Sequence, residues 1–226
     1  MADNDMWTIK AALDWTIGFL ERKGDENPRL SAEWLMSEAT GLSRIELYMN
    51  FERPLTLDER ATLRDFVARR GKGEPLQLIS GKVPFRYITV LVAPNVLIPR
   101  PETEVLVSEA FAELKLPRVA DHVAAGENGE EVVSPELPEL RVVDLCTGSG
   151  CIACSIASEY PAAHVVALDI APEALALAGK NVEVLGLGNR VEVLESDLLG
   201  ALDPGKKGTF DLIVSNPPYV PTKVCD

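Results

Sequence analysis

Long apolar runs are absent: no stretch of the 226 residues approaches the roughly 20 consecutive apolar residues that a membrane-spanning helix requires. The first twenty residues carry Asp3, Asp5, Lys10 and Asp14, unlike the apolar core of a secretory leader, so the expected compartment is the cytoplasm. Cations are also scarce. With 22 Lys and Arg against 35 Asp and Glu, the formal net charge is −13, which argues against a wide phosphate-tracking surface and for a protein or small-molecule partner over direct nucleic-acid binding. Cysteine is limited to Cys146, Cys151, Cys154 and Cys225. Three of these crowd into one predicted loop and helix start, a poor arrangement for a disulfide framework. The Cys146-x4-Cys151-x2-Cys154 spacing has no nearby His, and no metal site is expected there.

At 46% apolar residues the chain can bury a substantial core. Residues 1–75 read as a helical domain. Met6, Ile9, Leu13, Ile17 and Leu20 recur at spacings of three and four on a first helix, and Leu30, Trp34 and Leu35 begin a second that ends near Gly41. Ser43-Arg44-Ile45-Glu46 and Thr56-Leu57-Asp58-Glu59 are capping-box sequences that open two more, the last stopping by Gly71. Residues 76–101 read as a β-hairpin linker, with Phe85–Val92 as its likeliest strand and Pro94-Asn95 as a turn. Residues 102–226 carry the larger domain, interrupted at about 117–140 by a segment with six acids and one Arg, read as a surface insertion without chemistry. Strand and helix then alternate: strands at 141–145, 165–168, 191–194 and 210–214, helices at 151–159 and 172–185. That rhythm predicts a doubly wound parallel α/β sheet.

Two stretches of this domain carry chemistry. Asp144-Leu145-Cys146-Thr147-Gly148-Ser149-Gly150 follows the first strand and opens a helix, and its small residues let backbone approach a ligand. Gly148-x-Gly150-x-x-Ala153 also fits a dinucleotide fingerprint, with Asp169 ending the next strand where a ribose-binding acid belongs. Acids at Asp144, Asp169 and Asp197 favour instead a cofactor bearing an ammonium group and an adenine amine. The second stretch is Asn216-Pro217-Pro218-Tyr219 after the last strand. Its two prolines lack N–H groups, so the turn offers carbonyl oxygens and one amide side chain, and suits a substrate NH₂ group. Ile98-Pro99-Arg100-Pro101-Glu102-Thr103-Glu104, with its two prolines, reads from physics alone as a rigid turn leading into a helix.

Together with Gly41-Leu42-Ser43-Arg44-Ile45-Glu46-Leu47-Tyr48, these stretches resemble the HemK/PrmC family of class I S-adenosylmethionine-dependent methyltransferases, which methylate a glutamine side-chain amide in peptide-chain release factors. The resemblance implies a Rossmann-like methyltransferase sheet, with S-adenosylmethionine as cofactor and S-adenosylhomocysteine as product. It places Cys146, Thr147, Gly148, Ser149 and Gly150 around the methionine part of the cofactor, Asp169 on the ribose, and Asp197 and Leu198 beside the adenine. Asn216, Pro217, Pro218 and Tyr219 would hold the glutamine, with Asn216 and Tyr219 acting in catalysis and Asn216 also bordering the cofactor. The helical module would help to dock the release factor, and the enzyme is expected to act as a monomer.

Two departures accompany the resemblance. Glycine is usual where Cys146 stands, so either cofactor affinity is reduced or the backbone there lies in an ordinary region. The chain also ends seven residues past Tyr219, where a complete sheet of this class has further strands, so a truncated chain with an exposed sheet edge is expected. Two other functions fit the residues less well: an amino-methyltransferase acting on nucleic acid, whose target amines pose the same chemical problem, and a binding module without activity.

Overall fold

The computed structural model describes residues 7–116, 137–206 and 208–218. The chain forms two compact units, Met1–Gly81 and Lys82–Asp226. Tyr219, Cys225 and residues 117–136 of the acidic segment lie outside the described residues.

The first unit contains α1 (Ile9–Arg22), α2 (Pro28–Thr40), α3 (Arg44–Met49), α4 (Leu57–Arg70) and α5 (Leu76–Ser80). Both capping boxes form as the sequence predicts: Ser43 with Glu46 at the start of α3, and Thr56 with Glu59 at the start of α4. In each, a hydroxyl and a carboxylate satisfy N–H groups that a helix start leaves free. The core includes Ile9, Leu20, Leu35, Met36 and Leu47, all fully buried. Beside it lies Glu33, 4% exposed. Its carboxylate accepts from the Tyr48 hydroxyl and pairs with the Arg29 and Arg44 guanidinium groups, at 3.1 and 2.5 Å. Gly41 ends α2 with φ 70°, a left-handed conformation that a Cβ disfavours. The octet Gly41–Tyr48 thus ends one helix, caps the next and pins α3 onto α2.

Residues 76–80, read from sequence within the hairpin linker, form the short helix α5. The hairpin itself is β1 (Lys82–Phe85) paired antiparallel with β2 (Ile88–Leu91). It turns at Arg86-Tyr87, inside the segment expected to be one strand. Arg86 takes φ 50°, and its guanidinium is bidentate to Glu159 at 2.6 Å on both branches and donates to the Glu104 carbonyl. A charge-assisted fork of this kind holds a backbone conformation that local sequence gives no reason to expect.

The rest of the second unit runs α6 (Pro101–Glu113), β3 (Leu140–Leu145), α7 (Cys151–Glu159), β4 (Ala163–Asp169), α8 (Pro172–Val184), β5 (Val191–Glu195) and β6 (Leu212–Ser215). The four strands are parallel in the order β5-β4-β3-β6. β6 starts two residues later than predicted, because Phe210-Asp211 precedes the ladder: the Asp211 carboxylate accepts from the Arg141 N–H at 2.8 Å. In α7 the small residues Ala153, Cys154, Ser155 and Ala157 are wholly buried, which lets the helix lie close to the sheet. Val142, Val143, Ala167 and Leu168 supply the buried strand positions; each fully buried Val or Leu contributes about 1.5–3 kcal/mol. Strand order reverses at β3, so a crevice opens between the carboxyl ends of β3 and β6, where open α/β sheets place ligands.

Candidate functional site

At the end of β3, Asp144 is completely buried. Its Oδ2 accepts from the Thr147 hydroxyl at 2.6 Å and from the Ala153 N–H at 3.1 Å, the third residue of α7. Oδ1 has no partner among the described residues. Burial outweighs those two bonds and pushes the carboxyl up to about 7. This group occupies the amino end of α7, the position a pyrophosphate takes in dinucleotide folds. The dinucleotide reading of the glycine pattern is therefore disfavoured by the protein's own carboxyl.

The loop beyond is strongly turned. Gly148 and Gly150 have φ 58° and 77°, and a Cβ on Gly150 would meet the Ala178 Cβ at 3.1 Å. Gly150 thus serves close packing against α8, and it does not line the cavity. Cys146 shares the left-handed conformation, with φ 57°, so the ordinary backbone allowed for at this position is not what the loop adopts. Burial, then the neighbouring Asp169 carboxylate, push its thiol up, keeping it protonated near neutral pH.

Asp169 ends β4. Its Oδ2 accepts from the Gly148 N–H at 2.9 Å, and its Oδ1 from the Ile170 and Ala171 N–H groups at 2.9 and 3.0 Å. A carboxylate offers about four lone-pair sites, so capacity remains for a ligand hydroxyl. The Asp169 carbonyl accepts from the Ser196 N–H at 2.9 Å. Ser196 in turn shapes the turn after β5, donating to the Leu198 carbonyl at 2.7 Å and accepting from the Ala201 N–H at 3.0 Å. That turn leaves Asp197 exposed and Leu198, at φ 50°, with its side chain 64% exposed.

Beyond β6, the Ser215 hydroxyl donates to the Leu145 carbonyl at 2.9 Å, and the Asn216 Nδ2 donates to the Thr103 hydroxyl at 3.2 Å. Pro217 and Pro218 follow, both exposed.

These segments enclose a cavity of about 420 Å³ lined by Cys146 to Ser149, Asp169, Asp197, Leu198 and Asn216 to Pro218, but not by Gly150 or by Asp144, whose carboxyl is buried against Thr147 and Ala153 and does not face a ligand as the sequence suggested. Sequence reasoning missed Val96 and Leu97 on one wall, and Thr103 and Ser196. It also missed Asn181, a buried strut that accepts from the Leu91 N–H at 2.7 Å and donates to the Ser149 carbonyl at 2.9 Å. Thr103 lies in the Ile98–Glu104 stretch singled out from sequence, and Ser196 directly precedes Asp197. No Lys or Arg lines the cavity among the described residues, whereas Asp169 and Asp197 do. The donor set fits a cationic ligand carrying hydroxyls and an amine, with Asp169 and Asp197 as acceptors and the apolar Leu168, Ile170 and Leu198 as walls. Among the described residues, no three His, Cys, Asp or Glu side chains converge as a metal site requires.

A family model described as the PrmC N-terminal domain matches residues 11–81, and one described as the methyltransferase small domain matches residues 127–225. The chain is 46% identical over 218 residues to the release factor glutamine methyltransferase of Geobacter sulfurreducens, covering 96% of this chain and 67% of that protein. The enzymes of the same name from Rhodopirellula baltica and Chlorobaculum tepidum are 43% and 38% identical, covering 95% and 98% of this chain and 66% and 70% of theirs. The chain thus spans about two thirds of the length of these relatives. On that similarity, joined to a parallel sheet whose crevice is lined by the glycine loop, the strand-end acids and the Asn-Pro-Pro turn, the chain belongs to the release factor glutamine methyltransferase family.

Proposed function

We propose that this protein transfers a methyl group from S-adenosylmethionine to the side-chain amide nitrogen of a glutamine in a peptide-chain release factor. The observation that carries the proposal is the placement of Asn216, Pro217 and Pro218 in one cavity with the loop Cys146–Ser149 and Asp169. When bound, S-adenosylmethionine supplies an electrophilic methyl on a positively charged sulfur. Asp169 would hold the ribose hydroxyls, Asp197 and Leu198 the adenine, and Cys146 to Ser149 the methionine part.

The chemical difficulty lies in the acceptor. An amide nitrogen is a weak nucleophile because its lone pair is delocalised into its carbonyl, so the protein must orient it and oppose that delocalisation. With the Asn216 Oδ1 and the Pro217 carbonyl accepting its two N–H hydrogens, the nitrogen lone pair is left facing the methyl donor. The prolines supply no competing N–H donor. No strong base is required beforehand, since the nitrogen becomes acidic on alkylation and can lose its proton afterwards. Tyr219 would pack on the amide plane and exclude water.

The test is transfer of labelled methyl to a release factor, with DNA and RNA as controls and a release factor lacking the target glutamine as blank. Asn216→Ala should abolish transfer while S-adenosylhomocysteine still binds in calorimetry. A wild-type rate in that variant would end the clamp assignment, and label in the nucleic acids would favour an amino-methyltransferase of bases.

A further inference from the structure

We infer that Thr103 is a positioning residue for the Asn216 carboxamide, accepting from its NH₂ end so that its oxygen is free to receive the substrate amide. The inference rests on the clamp reading above and adds to it the group that orients the clamp. A carboxamide has a donor end and an acceptor end of nearly equal size, and only one of its two orientations presents the acceptor to a substrate. Here the Nδ2 end is committed: it donates to the Thr103 Oγ1 at 3.2 Å across 113 positions of chain.

Both partners are anchored through backbone. Thr103 sits in the first turn of α6, its N–H bonded to the Arg100 carbonyl at 2.9 Å between the φ-restricted Pro99 and Pro101, and it is 6% exposed. Asn216 directly follows Ser215, whose hydroxyl is bonded to the Leu145 carbonyl of β3. The freedom that remains is rotation of the carboxamide itself. A threonine hydroxyl can serve either end of a carboxamide, but only the arrangement seen here leaves Oδ1 available. Once a substrate N–H occupies Oδ1, Thr103 is the acceptor for the NH₂ group in a cavity from which water is displaced. Removing the hydroxyl then leaves a desolvated donor unpaired in the productive complex, which predicts a roughly tenfold loss of rate.

The experiment compares Thr103→Val, which keeps shape, with Thr103→Ser, which keeps the hydroxyl, on intact release factor at saturating S-adenosylmethionine, with melting temperatures measured in parallel. Thr103→Val is expected to lower kcat about tenfold while S-adenosylhomocysteine affinity stays within about twofold, and Thr103→Ser to restore kcat to within about twofold of wild type. If valine lowers the melting temperature, Thr103→Ala against Thr103→Ser supplies the same comparison. Wild-type kcat in the valine variant, or a serine variant as slow as valine, overturns the inference. Asn216→Ala separates the two levels: if it loses transfer and Thr103→Val does not, only the positioning role fails, whereas full activity in Asn216→Ala removes the clamp and this inference together.

Discussion

Asp144 makes the stability of the second unit depend on pH in a direction opposite to that of most carboxylates. It is completely buried, one of its oxygens lacks a partner among the described residues, and burial lifts it from 3.8 to about 7. A carboxyl raised on folding binds its proton more tightly in the native than in the unfolded chain. Its contribution is therefore fully present below the unfolded value and is lost as pH rises, the loss being complete above about pH 7. The whole span of about 3 units corresponds to roughly 4 kcal/mol at 1.36 kcal/mol per unit, and the part falling between pH 5 and pH 8 to about 3 kcal/mol. Carboxylates held low, such as Glu46 by the Ser43 hydroxyl and Glu74 by Arg69, contribute stability that is lost only below their ordinary range. They stay flat across this window. Urea unfolding followed by far-UV circular dichroism at pH 5 and pH 8 should show the wild type losing about 3 kcal/mol relative to Asp144→Asn, which cannot ionise. Trp7, Trp15 and Trp34, the three tryptophans of the chain, all lie in the first unit, so their fluorescence transition should not carry the difference. Equal pH slopes in the two proteins would falsify the assignment of a buried Asp144 that is raised on folding.

Cys146 offers a second measurement. A side chain at φ 57° costs about 1–2 kcal/mol, of which glycine gives back part through the entropy of its unfolded chain. Cys146→Gly should therefore be more stable than Cys146→Ala by about 0.5–1 kcal/mol in thermal unfolding, and the reverse order would show that the loop is not strained there. Asn181→Leu should lose about 2–4 kcal/mol, since it strips partners from the part-buried Leu91 N–H and the buried Ser149 carbonyl together; each orphaned group costs about 1–3 kcal/mol. Hydrogen exchange at the Leu91 amide would register it, and unchanged protection would refute the strut.

The elements that could be read from sequence are those whose signal is local. The capping boxes at Ser43 and Thr56, the small residues before α7, and the short apolar runs of β3, β4 and β5 each carry their own physical reason within a few residues. The cavity residues fell out of the same logic, because a parallel sheet brings successive strand ends to one edge: Cys146 to Ser149, Asp169, Asp197 and Asn216 meet there although spread over about 70 positions. What could not be read depends on contacts made at a distance. Arg86 turns the hairpin because of Glu159, 73 positions away, and Asn181 ties down Leu91 across 90. Thr103 looked like an ordinary residue in a first helical turn, and its bond to Asn216 has no periodic or motif signature. At Gly150 the structure shows a packing requirement against Ala178, and a glycine required by the neighbouring helix carries the same sequence signal as one required by a ligand.

The Asp169 carboxylate gathers the amides of Gly148, Ile170 and Ala171, and this has a kinetic consequence. These are contacts the chain makes with itself, so the two loops that meet at Asp169 brace one another without help from a ligand group. Binding there need not order a floppy segment, and the entropy that such ordering would consume stays available as affinity. Association should then proceed in one step at a rate proportional to ligand concentration, without the plateau that a slow loop closure imposes.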